Sequence, residues 1–124
     1  IHRYRPSRSL CYFRVLPYSP WCIHVAWMAP EMLQEKKYNE KVDVYSFAIV
    51  MSELLTQKPP FDGVKTWDIP DLVIEGKRPE LPKKVPTKLR DLVVSCWQAN
   101  PKKRPTFAAI HEKLKSMQAK IDKL

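Results

Sequence analysis

The stretch NEKVDVYSFAIVMSELLT, residues 39–56, decides the fold. Asn39 is a good helix N-cap, because its side-chain oxygen can accept from an orphan backbone N–H of the first turn. Pro59 and Pro60 stop whatever begins there, since proline has no N–H to donate. Between these signals Val42, Val44, Tyr45, Phe47, Ala48, Ile49, Val50, Met51, Leu54 and Leu55 leave almost no polar face. A helix that is apolar all round must be enclosed by other elements, so residues 40–56 are expected to form the central helix of their domain. Asp43 lies inside this run. Either it has dedicated hydrogen-bond partners, as a buried carboxylate requires, or it sits in an exposed first turn where the helix dipole favours an acid.

Working outward, Asp68 and Pro70 open a shorter helix that Gly76 ends. A proline-punctuated loop follows, running through Pro79 and Pro82 to Pro86. Thr87 then caps a third helix, with Leu89, Leu92, Val93, Cys96 and Trp97 at spacings of three and four. Thr106 caps the last, whose stripe is Phe107, Ile110, Leu114, Met117, Ile121 and Leu124. No stretch alternates like a strand. The expectation is an all-α unit of about four main helices over residues 25–124, with an irregular segment, residues 1–24, ahead of it.

Composition separates the same two segments. Residues 1–24 carry four arginines, no lysine and no acid, whereas residues 25–124 hold fifteen lysines, three arginines and all thirteen acids. In the longer segment the charges are interspersed, which reads as a solvated surface rather than a nucleic-acid footprint. No run of about 18 apolar residues survives the interruptions at Arg14, Pro17, Pro20 and His24, so no membrane span is expected. Three cysteines, Cys11, Cys22 and Cys96, form no C-x-x-C pair, and a reducing, cytoplasmic setting fits them best. Cys11 and Cys22 with His2 and His24 have none of the tight spacings of a structural zinc site. With only Gly63 and Gly76, no glycine-rich phosphate cradle can be written.

Four blocks then stand out: VAWMAPE at residues 25–31, DVYSF at 43–47, GKRPELP at 76–82 and CWQANPKKRPTF at 96–107. In this order and at these separations they resemble the distal half of the C-terminal lobe of protein kinases, specifically the tyrosine kinase-like group. The resemblance covers residues 25–124 and none of residues 1–24. It implies that Glu31 ends the activation segment and pairs with Arg104, a structural ion pair bridging 73 residues. It implies that Asp43 anchors the central helix to the backbone of the catalytic loop. It also implies that Val25, Ala26 and Trp27 form the loop receiving the substrate residue after the phosphorylated one. In tyrosine-specific relatives a basic residue usually precedes that tryptophan; Ala26 leans toward serine/threonine specificity.

What such kinases use for phosphoryl transfer is a Gly-rich loop, a strand lysine, an HRD loop and a DFG aspartate. None is written in this chain, so no catalytic, cofactor-binding or metal-binding residue is assigned. The chain by itself is expected neither to bind ATP nor to catalyse; ATP and magnesium would belong to the full-length parent. Ile23 and His24 stand where relatives carry Gly-Thr, and the abrupt onset of agreement at Val25 reads as an exon boundary or a misjoined gene model. Two functions compete: a piece of a serine/threonine protein kinase, or a kinase-derived module that only binds partner proteins, with tyrosine specificity a lesser alternative. Protein substrates or partners are expected, not nucleic acid or membrane. Without an upstream half to cover it, part of the central helix around Val44, Phe47, Val50 or Met51 should be exposed.

Overall fold

A computed structural model of the chain describes residues 25–123. The readings made on residues 1–24, the zinc discussion among them, and that of Leu124 lie outside the described residues.

The described residues form helices and turns with no strand. After a single 3-10 turn over residues 25–27 come α1 (Pro30–Leu33), α2 (Lys41–Thr56), α3 (Ile69–Ile74), α4 (Thr87–Cys96) and α5 (Phe107–Asp122). Two further 3-10 turns, Thr66–Asp68 and Pro101–Lys103, lead into α3 and away from α4.

Helix α2 is the centre, as its composition demands. It packs most extensively against α4, while α1 rests on α3 and α4 on α5. Val44, Tyr45, Ala48 and Ile49 are sealed, and they share one core with Ala29, Val73, Leu92, Val93, Cys96 and Ile110. Each large aliphatic side chain so enclosed contributes about 1.5–3 kcal/mol relative to exposure. Cys96 is a buried free thiol, and burial pushes its pKa up. It acts as a small hydrophobe and not as a reactive group.

The enclosure of α2 is incomplete at Val50, one of the positions expected to be open, and the opening extends to Leu54. Val44 is 1% exposed, and the half-buried Phe47 meets Phe107 edge-to-face, with ring centroids 5.7 Å apart. The opening lies at Val50 and Leu54, 44% and 62% exposed. These stand four residues apart on one face.

Local chemistry explains most of the helix ends. Asn39 Oδ1 accepts from Lys41 N at 3.0 Å, and Thr106 Oγ1 accepts from Ala109 N at 3.2 Å. Helix α3 ends in a Schellman arrangement: Lys77 N donates to Leu72 O, Gly76 N donates to Val73 O, and Gly76 adopts φ +97°. Two expected caps are absent. Asp68 makes no side-chain cap bond because the preceding 3-10 turn runs straight into α3, and its own backbone is already helical. Thr87 is the first helical residue, with Pro86 at the cap position supplying only its carbonyl, to Arg90 N.

Candidate functional site

Around the N-terminal half of α2, polar groups converge in an otherwise apolar core. Arg104 reaches it from the extended residue after the Pro101–Lys103 turn, and Glu31 from the first turn of α1. Arg104 Nη1 donates to Glu31 Oε1 at 2.6 Å and Nη2 donates to Oε2 at 2.9 Å. The two side chains are 0% and 8% exposed. A guanidinium presents a planar fork that matches a carboxylate, so this pair is directional as well as charged.

The remaining donors of Arg104 are used as well. Its Nε donates to Gln98 O at 2.8 Å, and Nη1 also reaches Lys41 O at 3.0 Å. In return Lys41 Nζ donates to Arg104 O at 2.6 Å. The first turn of α2 and the arginine are thus clasped from both sides.

Tyr45, fully buried, is the floor of this cluster. Arg104 lies over its ring at 5.2 Å from the centroid, and Arg78 at 5.1 Å. Arg78 has no carboxylate in this arrangement. It donates through Nε to Trp97 O and through Nη1 to Val73 O and Lys77 O, tying together the C-terminal ends of α3 and α4. Carbonyls at helix ends carry partial negative charge, and the ring face adds more. Burial still pulls the Arg78 pKa down. Burial likewise pushes Tyr45 up to about 12, against the opposing pull of Arg78 and Arg104. The Tyr45 hydroxyl is the one buried side-chain oxygen with no partner among the described residues.

The turn at residues 25–27 is held to the same helix one layer up. Ser46 Oγ donates to Trp27 O at 2.7 Å, and Trp27 Nε1 donates to Glu53 Oε1 at 2.5 Å. Ala26 is buried, while Val25 and Trp27 are half-buried against the core. Beside this turn opens a cleft of about 500 Å³, lined among others by Trp27, Met28, Met32, Asn39 and Asp43.

Asp43 is exposed at that cleft, and no described residue hydrogen-bonds its carboxylate. Of the two sequence readings, the exposed first turn is the one the structure displays. The N-terminal N–H groups and solvent support the charge there.

The structure therefore brings Glu31 and Arg104 together, sets Val25, Ala26 and Trp27 beside Asp43, and leaves the ion pair and the cleft as separate features. Sequence reasoning missed Lys41, Tyr45, Ser46, Glu53 and Arg78 as parts of the site. Asp43, Ser46 and Glu53 do leave a trace, a polar stripe along one face of an apolar helix. Among the described residues no group of three His, Cys, Asp or Glu could hold a metal ion, and no helix is long and apolar enough to cross a membrane.

The sequence family described as protein tyrosine and serine/threonine kinase matches residues 19–114. The RGS domain-containing serine/threonine-protein kinase A of Dictyostelium discoideum is 44% identical over 92 residues, covering 74% of this chain and 8% of that protein. The probable serine/threonine-protein kinase roco7 of the same organism is 42% identical over 98 residues, covering 74% and 4% respectively. Its dual specificity protein kinase pyk3 is 41% identical over 98 residues, covering 78% and 7%. The chain thus spans under a tenth of the length of these relatives.

Proposed function

Because the chain belongs to the protein tyrosine and serine/threonine kinase family, we propose that it serves as the distal, helical part of a tyrosine kinase-like C-terminal lobe. The whole protein would transfer the γ-phosphate of ATP to serine and threonine hydroxyls of other proteins. In that role residues 25–124 position and do not catalyse.

The observation that carries this reading is the bidentate, buried Glu31–Arg104 pair. A charge pair taken out of water contributes little net stability, but it holds one geometry. Here it pins the short helix after the 25–27 turn to the helical core. Ser46 and Glu53 fix the turn itself, so a substrate-receiving loop at Val25–Ala26–Trp27 would be presented rigidly beside the cleft. Asp43, exposed at the same cleft, would take up the backbone of a catalytic loop supplied by another part of the protein. The described residues do not fit ATP or magnesium, since the sequence writes no glycine-rich phosphate cradle and among them no group of three carboxylates could hold a metal ion. Those ligands belong to the remainder of the kinase. Ala26 ahead of Trp27, and the serine/threonine names of the relatives, support the specificity; a cytoplasmic location is part of the same proposal.

A chimera tests it. Residues 25–124 replace the matching segment of the Dictyostelium RGS domain-containing kinase, and transfer from radiolabelled ATP to serine, threonine and tyrosine peptides is measured. Transfer to serine or threonine alone is expected, with no saturable binding of Mg-ATP by the isolated chain. A folded, ATP-binding chimera without transfer would favour the partner-binding module instead, and tyrosine transfer would overturn the specificity.

A further inference from the structure

Charge is divided sharply between the two halves of the helical unit. Residues 25–82 hold six lysines and one arginine against ten acids, a net charge of −3. Residues 83–124 hold nine lysines and two arginines against three acids, a net charge of +8. Of these arginines, Arg104 is taken up by Glu31 and Arg90 donates to Pro82 O. All nine lysines are exposed.

The fold gathers several of them along one line. Helices α4 and α5 pack together. Lys113 acts electrostatically on the thiol of Cys96, the last residue of α4, and Lys88, in the first turn of α4, acts likewise on Lys120. The helices therefore run antiparallel, and Lys113 and Lys120, seven residues apart, face the same seam. Lys83 and Lys84 stand in the turn that leads into Lys88. Lys88 and Lys120 carry like charges and can only donate, so an anion placed between them would be favoured. Nearby acids do little to offset their charge. Asp122 accepts from Gln118, and Asp91 and Glu112 leave the balance strongly positive.

We propose that the lysine-lined seam between α4 and α5, marked by Lys88, Lys113 and Lys120 and preceded in the chain by the exposed Lys83 and Lys84, docks an acidic polypeptide segment of a partner protein. Charge complementarity sets the sign of the partner, and the geometry sets its class. Lys113 and Lys120 are separated by about 10 Å along α5, at 1.5 Å per residue. An extended chain sets alternate side chains about 7 Å apart on one face, so successive carboxylates can reach both ends of the seam. Among the described residues the exposed aromatic side chains are Tyr38, Trp67 and Phe107. None belongs to the seam, which leaves no platform for stacking a base and no aromatic anchor at a bilayer surface. Lysine, a point charge without the guanidinium fork, suits scattered carboxylates better than the bidentate grip of a phosphate. This inference stands on charge and placement, and does not depend on the kinase reading.

The test uses the full chain and fluorescein-labelled poly-L-glutamate, followed by anisotropy at low and at physiological salt. Binding that weakens as salt rises is expected, and the charge reversal K84E/K88E/K120E should weaken it at least about tenfold at low salt. The conservative K84R/K88R/K120R variant should retain it, as should K36E/K37E, which reverses two exposed lysines of the other half. Circular dichroism establishes that all variants keep their helix content. Equal binding by the wild type and K84E/K88E/K120E would overturn the seam. Tighter, equally lysine-dependent binding to a 20-base-pair DNA duplex, or to phosphatidylserine-containing vesicles, would overturn the polypeptide partner.

Discussion

Glu31→Gln keeps the shape of the carboxylate and one acceptor oxygen while removing its charge. Arg104 would remain where it is, its side chain 0% exposed and still donating to Gln98 O and Lys41 O. Its positive charge would then be opposed only by peptide dipoles and by the Tyr45 ring. Breaking a buried pair in this way typically costs about 3–5 kcal/mol, most of it the desolvation of the abandoned partner. The surviving amide acceptor puts Glu31→Gln near the lower bound and Glu31→Ala near the upper. A domain of this size is stable by about 5–15 kcal/mol, so even the milder change removes a large share. With a urea slope of about 1.5–2 kcal/mol/M the midpoint falls by roughly 2 M, read from the fluorescence of Trp27 and Trp97. Arg104→Met alone should cost a similar amount, because it orphans Glu31. The double variant Glu31→Gln/Arg104→Met should lose clearly less than the sum of the two, a coupling of at least about 2 kcal/mol. If each single change costs under about 1 kcal/mol, as exposed ion pairs do, or if the two simply add, the pair is not the buried clasp described above.

Tyr45 sets a high-pH limit on stability. Its pKa, about 12 in the folded chain against the ordinary 10.0, means that the native state holds the phenolic proton more tightly than the unfolded chain. The contribution is complete below pH 10 and is lost as pH rises toward 12, by up to about 2–3 kcal/mol. Urea midpoints measured at pH 9 and 11 should separate wild type from Tyr45→Phe, which lacks this slope; parallel losses in both would contradict the assignment. Arg78→Lys should fail to replace arginine: one ammonium cannot reproduce donations to Trp97 O, Val73 O and Lys77 O while lying flat over the ring. A loss of about 2–4 kcal/mol is expected, with faster amide exchange at the C-terminal ends of α3 and α4. Wild-type stability and exchange in Arg78→Lys would count against the tie between those helices.

The central helix was legible because ten of the fourteen residues from Val42 to Leu55 are apolar, more than one helix face can hold, so most of them must be buried. The Glu31–Arg104 pair was legible only through its surrounding motifs. Nothing in the local pattern at either residue announces a partner 73 positions away. Arg78 and Tyr45 carried no signal of their own, since an arginine in a proline-rich loop reads as solvent-exposed. Its burial depends on three carbonyls that only the assembled helix ends supply. Thr87 and Asp68 show the converse error. Both have the right side chain for a cap, but the proline beside Thr87 and the 3-10 turn ahead of Asp68 decide the backbone first. Asp43 is exposed in the first turn of α2, and its expected role toward a catalytic loop depends on groups that the described residues do not include.

The separation of Glu31 and Arg104 along the chain has a consequence during synthesis. At about 5–20 residues per second, Arg104 is added roughly 4–15 s after Glu31. For that interval α1 has no clasp, the first turn of α2 lacks the arginine that grips Lys41 O, and the Tyr45 ring is open on one side. The core can gather early from its neighbouring helices, but its closure waits for Arg104. A ribosome that pauses ahead of Arg104 would therefore hold an unsealed, apolar nascent chain for as long as the pause lasts.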